Sequence, residues 1–151
     1  QLFTKLRDAP DEAWEVGPYI YRGGGFEPRL DAHSRLWVGG NSSAARRRAA
    51  RWGDGWQPTG LTVEDMRTGI AELRAYCQEA GRDVSELEIG LRLRIRPTPE
   101  ASPHYIGDLL GPYTDAGVRD FLLEINTRDR QRALDSIDRV VASAQLANLM
   151  A

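Results

Sequence analysis

Between positions 87 and 95 the chain alternates strictly: Leu87, Ile89, Leu91, Leu93 and Ile95 stand between polar or glycine neighbours. A period of two marks a β-strand, because successive side chains point to opposite faces of a sheet. Shorter apolar runs at 35–38, 55–57 and 121–125 read as three more strands, and each strand is followed by residues at helical spacing. The first is followed by a helix at 42–52, with Ala44, Ala45, Ala49 and Ala50 as its small apolar side. Pro58 ends the second. Thr62 then caps a helix with Asp65 three residues on, Met66, Ile70, Leu73 and Cys77 line one face, and Gly81 stops it. A third helix spans 103–116, with a break expected at Gly111 and Pro112 and an end at Gly117. A fourth begins near Asp129 and turns Ala133, Leu134, Ile137, Val140, Val141 and Ala144 to the core. Four βα units in succession predict an α/β fold with parallel strands and right-handed crossovers. They suit half of an eight-stranded barrel, or a small open sheet with helices on both faces, and glycines alone do not choose between these.

The 151 residues suffice for one domain with a sizeable core. A net charge of −2 supplies no basic field for nucleic acid, and no apolar run approaches a membrane span. Cys77 is the only cysteine, which excludes an internal disulfide and a cysteine metal cluster; a small buried hydrophobe is the simpler role. Without a basic-then-apolar leader pattern, a cytoplasmic protein is the default expectation. Leu2, Phe3 and Leu6 share a helix face but have no N-cap before them, so upstream sequence is expected. Residues 9–34, with Gly23, Gly24 and Gly25, read as a long irregular connection. The chain thus divides into 1–34, a helix end plus insertion, and 35–151, the four βα units.

Between the first strand and its helix lie Gly39, Gly40, Asn41 and Ser42. A helix start leaves backbone N–H groups without partners, and glycine lets a ligand approach closely, so the turn can hold an anion. A tight connection with Asn41 or Ser42 as N-cap is the plainer alternative. No dinucleotide fingerprint is present, since G-x-G-x-x-G does not occur.

Residues 36–58, LWVGGNSSAARRRAARWGDGWQP, resemble the luciferase-like monooxygenase family of flavin- and F420-dependent oxidoreductases. The likeness continues through Leu73, Arg74, Ala80, Gly81, Arg82 and Asp83, and through Tyr113, Asp115, Ala116, Gly117 and Val118. It implies a (β/α)8 TIM barrel with a long insertion, of which this chain matches the C-terminal half. It further implies that Gly39, Gly40, Asn41, Ser42 and, one turn along, Ala45 contact a cofactor's phosphate tail. Coenzyme F420 is the first choice and FMN the alternative. The family's N-terminal half, with most residues credited with chemistry, has no counterpart here, so the resemblance names no catalytic residue. A small-molecule substrate is implied, with self-association or a complementary N-terminal half to complete the barrel. The competing expectation is a non-catalytic half-barrel that serves as an assembly or interaction module.

Several residues have two readings. Arg46, Arg47, Arg48 and Arg51 fit a solvated helix face, with Arg46 the best placed to reach a phosphate. Asp54, between two glycines, suits turn chemistry. Trp56 and Gln57 sit at the C-terminal end of a strand, where barrels keep their sites, and are the substrate-side candidates; Trp56 alternatively fills the barrel interior. Arg92, Arg94 and Arg96 alternate with apolar residues, and Arg96 faces an anionic substrate or forms a surface ion pair. His33 and His104 lack metal-ligand spacing, so no metal is expected.

Overall fold

The computed structural model describes residues 2–25, 27, 29–30, 33–96, 98 and 102–147. A short helix α1 (Leu2–Asp8) leads into an antiparallel hairpin, β1 (Trp14–Val16) and β2 (Tyr19–Tyr21). The hairpin falls inside the segment read as irregular. Gly17 at φ +58° followed by Pro18 makes its two-residue turn, the glycine-first order that a type II′ hairpin takes. Trp14 stacks on Tyr21 across it, with ring centroids 4.9 Å apart.

The regular part follows as β3 (Trp37–Gly39), α2 (Ser43–Trp52), β4 (Gly55–Gln57), α3 (Val63–Glu79), β5 (Glu88–Ile95), α4 (Tyr105–Ala116), β6 (Asp120–Ile125) and α5 (Arg130–Leu146). The strands are all parallel and in chain order, β3-β4-β5-β6. Right-handed crossovers between strands that never reverse their order put every helix on the same face. Burial agrees. Trp56, Ile89, Leu91, Leu93 and Ile95 form one core with Ala49, Ala50, Met66, Ile70, Leu73, Cys77, Ile106 and Leu110 from the helices. The opposite face carries Arg92, Arg94, Leu122 and Glu124 and, among the described residues, none of α2 to α5. This is the singly wound arrangement of four consecutive units of a (β/α)8 barrel. A doubly wound sheet needs an order reversal and helices on both sides.

Local chemistry sets the boundaries. Ser42 caps α2 by accepting from the Ala45 N–H at 3.2 Å, and Thr62 caps α3 by accepting from Asp65 at 3.1 Å. Asp83 and Glu86 close a reciprocal capping box before β5. Gly117, at φ +108°, ends α4 in the left-handed conformation.

Three expectations about helices need correction. α4 runs unbroken through Gly111 and Pro112; Pro112 is exposed, so the carbonyl it frees can be hydrated, while Ile106 and Leu110 anchor the helix in the core. Ala44 is exposed, leaving Ala45, Ala49 and Ala50 as the buried side of α2. On α5 the buried residues are Ser136, Ser143 and Ala144, whereas Leu134 and Ile137 are 45% and 48% exposed. That helix ends the row and packs mainly on α4 and β6, which leaves Leu134 and Ile137 on its exposed side. No helix among the described residues is long and apolar enough to cross a membrane.

Candidate functional site

All four βα connections lie at the C-terminal end of the sheet, and the best-built of them is the turn from β3 to α2. Gly40 has φ +115°, a conformation that L side chains avoid, and a Cβ there would lie 3.2 Å from that of Ala45. Its carbonyl accepts the indole N–H of Trp56 at 2.9 Å. The Asn41 side chain spans to the next connection: Nδ2 donates to the Thr59 carbonyl at 2.9 Å, and Oδ1 accepts the Thr59 N–H at 3.0 Å. Arg46 donates through Nη1 to the Asn41 carbonyl at 2.7 Å, and through Nε and Nη2 to Glu72 on α3 at 3.0 and 2.6 Å. The turn is thereby fixed from three sides before any ligand arrives.

These contacts sort the candidates. Gly39, Gly40, Asn41 and Ser42 are exposed together at the rim. The Asn41 amide and Ser42 hydroxyl are committed to the turn, so what the turn offers outward is backbone. Ser43 and Ala44, the exposed start of α2, carry N–H groups that the helix itself leaves unpaired. The first turn of α2 holds no acidic residue to compensate its positive end. Ala45 is 1% exposed and sits under Gly40, so it shapes the turn without reaching the surface. Arg46, read as part of a solvated helix face and the best placed of its run to reach a phosphate, is instead a brace: its side chain is 12% exposed and each of its three nitrogens already donates within the protein.

Trp56 also needs correction. It is fully buried on the helix side, its ring against Gly69 of α3, and does not line the open face of the sheet. Gln57, the next residue, does face the open side, with Nε2 3.4 Å from where a Gly90 Cβ would stand. Beside it lies Trp37, which sequence reasoning did not single out. Its ring crosses Gly55 and Gly90 so closely that a Cβ on either would approach it within 2.7 and 2.9 Å. Glycines at 55 and 90, each in a strand, were the available signal.

Asp54 performs turn chemistry: its Oδ2 accepts the Leu36 N–H at 2.7 Å and its carbonyl accepts the Glu88 N–H at 2.9 Å, tying three strand starts together. On the open face, Glu124 bridges Arg92 (3.0 Å) and Arg94 (3.2 Å). Desolvation pushes the Glu124 carboxyl up, but Arg94 and then Arg92 outweigh it and hold the group below the ordinary carboxylate range. No group of His, Cys, Asp and Glu among the described residues could hold a metal ion. Gly39 and Trp37 also border a groove of about 680 Å³ along the β3 edge, shared with Leu2, Phe3, Tyr19 and Trp52.

The sequence profile of the luciferase-like monooxygenase family matches residues 8–145. The chain belongs to this family. No curated protein matches the sequence, but solved structures match the fold. An F420-dependent secondary alcohol dehydrogenase in complex with an F420–acetone adduct superposes with a TM-score of 0.76 at 12% identity, covering 94% of this chain and 59% of that one. A coenzyme F420-dependent tetrahydromethanopterin reductase from Methanopyrus kandleri gives 0.70 at 10% identity, over 99% and 61%. A riboflavin lyase with modified FMN and riboflavin gives 0.71 at 12% identity, over 93% and 49%. The chain therefore spans roughly half to three-fifths of these structures, and its parallel sheet with helices matches part of the luciferase-like barrel.

Proposed function

We propose that this luciferase-like half-barrel holds the anionic tail of coenzyme F420, with FMN the alternative, at the β3–α2 turn, as part of an oxidoreductase or monooxygenase acting on a small molecule. The observation that carries the reading is the Gly40 turn: a left-handed glycine, braced by Trp56, Asn41 and Arg46, presenting an uncompensated helix start at the barrel rim. Gly39 and Gly40 let a phosphate approach the backbone, and the N–H groups of Ser42, Ser43 and Ala44 receive it. The bound cofactor supplies hydride or oxygen chemistry. This chain's residues orient it: Asn41 keeps the turn fixed to the Thr59 connection, and Gln57 offers a substrate-side amide on the same face. Pre-organisation of this kind reduces the ordering cost of binding.

Titration of the purified chain with F420, and separately with FMN, tests this by cofactor fluorescence quenching. Ser43→Asp adds a carboxylate to the first turn of α2, where it favours the helix but repels a bound phosphate. Unchanged or raised stability with about tenfold weaker F420 binding is expected; binding unaffected by the substitution refutes the placement.

A second reading is a non-catalytic half-barrel that works by association, completed by another copy or by a separate N-terminal half. It is favoured by the apolar side chains left uncovered at one end of the row, Leu122, Leu134 and Ile137. No cofactor binding together with a dimer on sizing would select it.

A further inference from the structure

We propose that the open face of the sheet carries a receptor for a compact oxyanion, a carboxylate or a phosphate, formed by Arg92, Arg94 and Arg96 with Glu124 holding the first two in position. As a substrate-recognition element it rests on the oxidoreductase reading above; as an anion receptor it does not.

Arg92 and Arg94 occupy alternate positions of β5, which places both guanidinium groups on the face without helices, and Arg96 continues the same alternation one step past the strand. Like charges at such spacing repel unless an anion lies between them. Glu124, in register with Arg94 on β6, is that anion, but it is one carboxylate for three cations. Arg96 forms no ion pair among the described residues. The cluster is left with an excess of positive charge on a surface that, in the closed barrel, is the lumen.

The mode of contact also points to a ligand. Arg92 and Arg94 each spend only Nη2 on Glu124, and the two side chains are 47% and 56% exposed. A guanidinium has five N–H donors in a planar fork suited to carboxylate or phosphate, so most of each fork remains available. The structural arginines differ. Arg46 divides its donors between Glu72 and the Asn41 carbonyl, and Arg82 divides its own among Glu86 and the carbonyls of Ala50 and Gly53. The location is right as well. Arg92 is in register with Thr59, the residue that Asn41 clamps to the cofactor turn, so the cluster and the turn share one rim.

The test titrates the 15N-labelled chain with inorganic phosphate and with succinate, following the arginine Nε–H signals. Saturable shifts of the Arg92 and Arg94 signals are expected. Joint replacement Arg92→Gln and Arg94→Gln should weaken both probes by about tenfold or more. Glu124→Gln, which removes the competing charge but keeps an amide oxygen to accept from the two guanidinium groups, should tighten them several-fold. Absent saturation, or affinities unchanged in the double variant, overturns the receptor. F420 titration separates the two sources of the oxyanion. If the double variant loses phosphate and succinate but keeps F420, the anion belongs to the substrate; if it weakens F420 as Ser43→Asp does, the anion is the cofactor's own. Failure of every form to bind F420 sinks the cofactor reading alone and leaves the phosphate and succinate result to decide the receptor.

Discussion

Gly69→Ala is a change that helix propensity alone would favour. Alanine is better than glycine in a helix interior by about 1 kcal/mol, and Gly69 lies well inside α3. The structure reverses the sign. A Cβ at position 69 would stand 2.6 Å from Cη2 and 3.3 Å from Cζ3 of Trp56. That indole is fully buried and tethered to the Gly40 carbonyl at 2.9 Å, so it cannot swing away without losing the bond. Overpacking a core costs about 1–3 kcal/mol, and a broken hydrogen bond about 1 kcal/mol more. Set against the propensity gain, the expected net loss is about 1–3 kcal/mol. Urea denaturation reads it as a lower midpoint at unchanged slope. Trp56→Phe gives the control: a smaller ring without the N–H frees the space, and in that background Gly69→Ala should be neutral or stabilising. The coupling between the two sites should reach roughly 2 kcal/mol. A stability gain from Gly69→Ala in the native background would refute the claim that α3 and the β3–α2 turn meet through this indole.

Three further outcomes follow from the same contacts. Asn41→Ala removes both bonds to Thr59 and should cost about 1–2 kcal/mol, with faster hydrogen exchange at the Thr59 amide. Ser143→Ala should cost about 1–3 kcal/mol by urea denaturation, because the buried Ser143 hydroxyl accepts the Ile106 N–H at 2.9 Å, at the start of a helix whose own N-cap, His104, makes no side-chain bond. Glu124 is held below its unfolded value, so its contribution is present above the unfolded pKa of about 4.3 and disappears as pH falls through the folded value. The stability difference between the native chain and Glu124→Gln should accordingly shrink on acidification from about pH 6 to about pH 3; a constant difference would mean the carboxylate is not paired in solution.

The elements that were legible in the sequence are those with enough residues to show a period. β5 announces itself because eight residues fix both the strand and its phase, and α3 because Met66, Ile70, Leu73 and Cys77 repeat over about three turns. β4 has three residues, and three residues carry no phase. Trp56 could therefore be placed at a strand end but not on a face. The face is decided elsewhere, by Gly69 making room on the helix side and by Gly55 and Gly90 making room for Trp37 on the other. The β1–β2 hairpin went unread for the same reason of length, although Trp14 and Val16 alternate before Gly17-Pro18 as Tyr19 and Tyr21 do after it. At the turn, the residue types were legible and their commitments were not. That Asn41 binds Thr59 and Arg46 binds Glu72 depends on which loops and helices become neighbours, and a single sequence does not display this.

Strand order and one-sided helices leave one further question, whether the open face is a surface for another layer or the lining of a ring. Its two ends answer differently. Toward the start of the strands, one indole, Trp37, fills the space above Gly55 and Gly90, as a packed layer requires. Toward their ends the same face bears Arg92, Arg94 and Glu124, with Arg96 just beyond. A flat layer laid over this face would bury three guanidinium groups against one carboxylate, and each uncompensated ion would cost several kcal/mol. A barrel avoids that cost, because its floor is closed by side chains while its C-terminal mouth stays open to water and ligands. The gradient from a filled floor to a charged rim is therefore a second, independent reason to place these four strands in a ring.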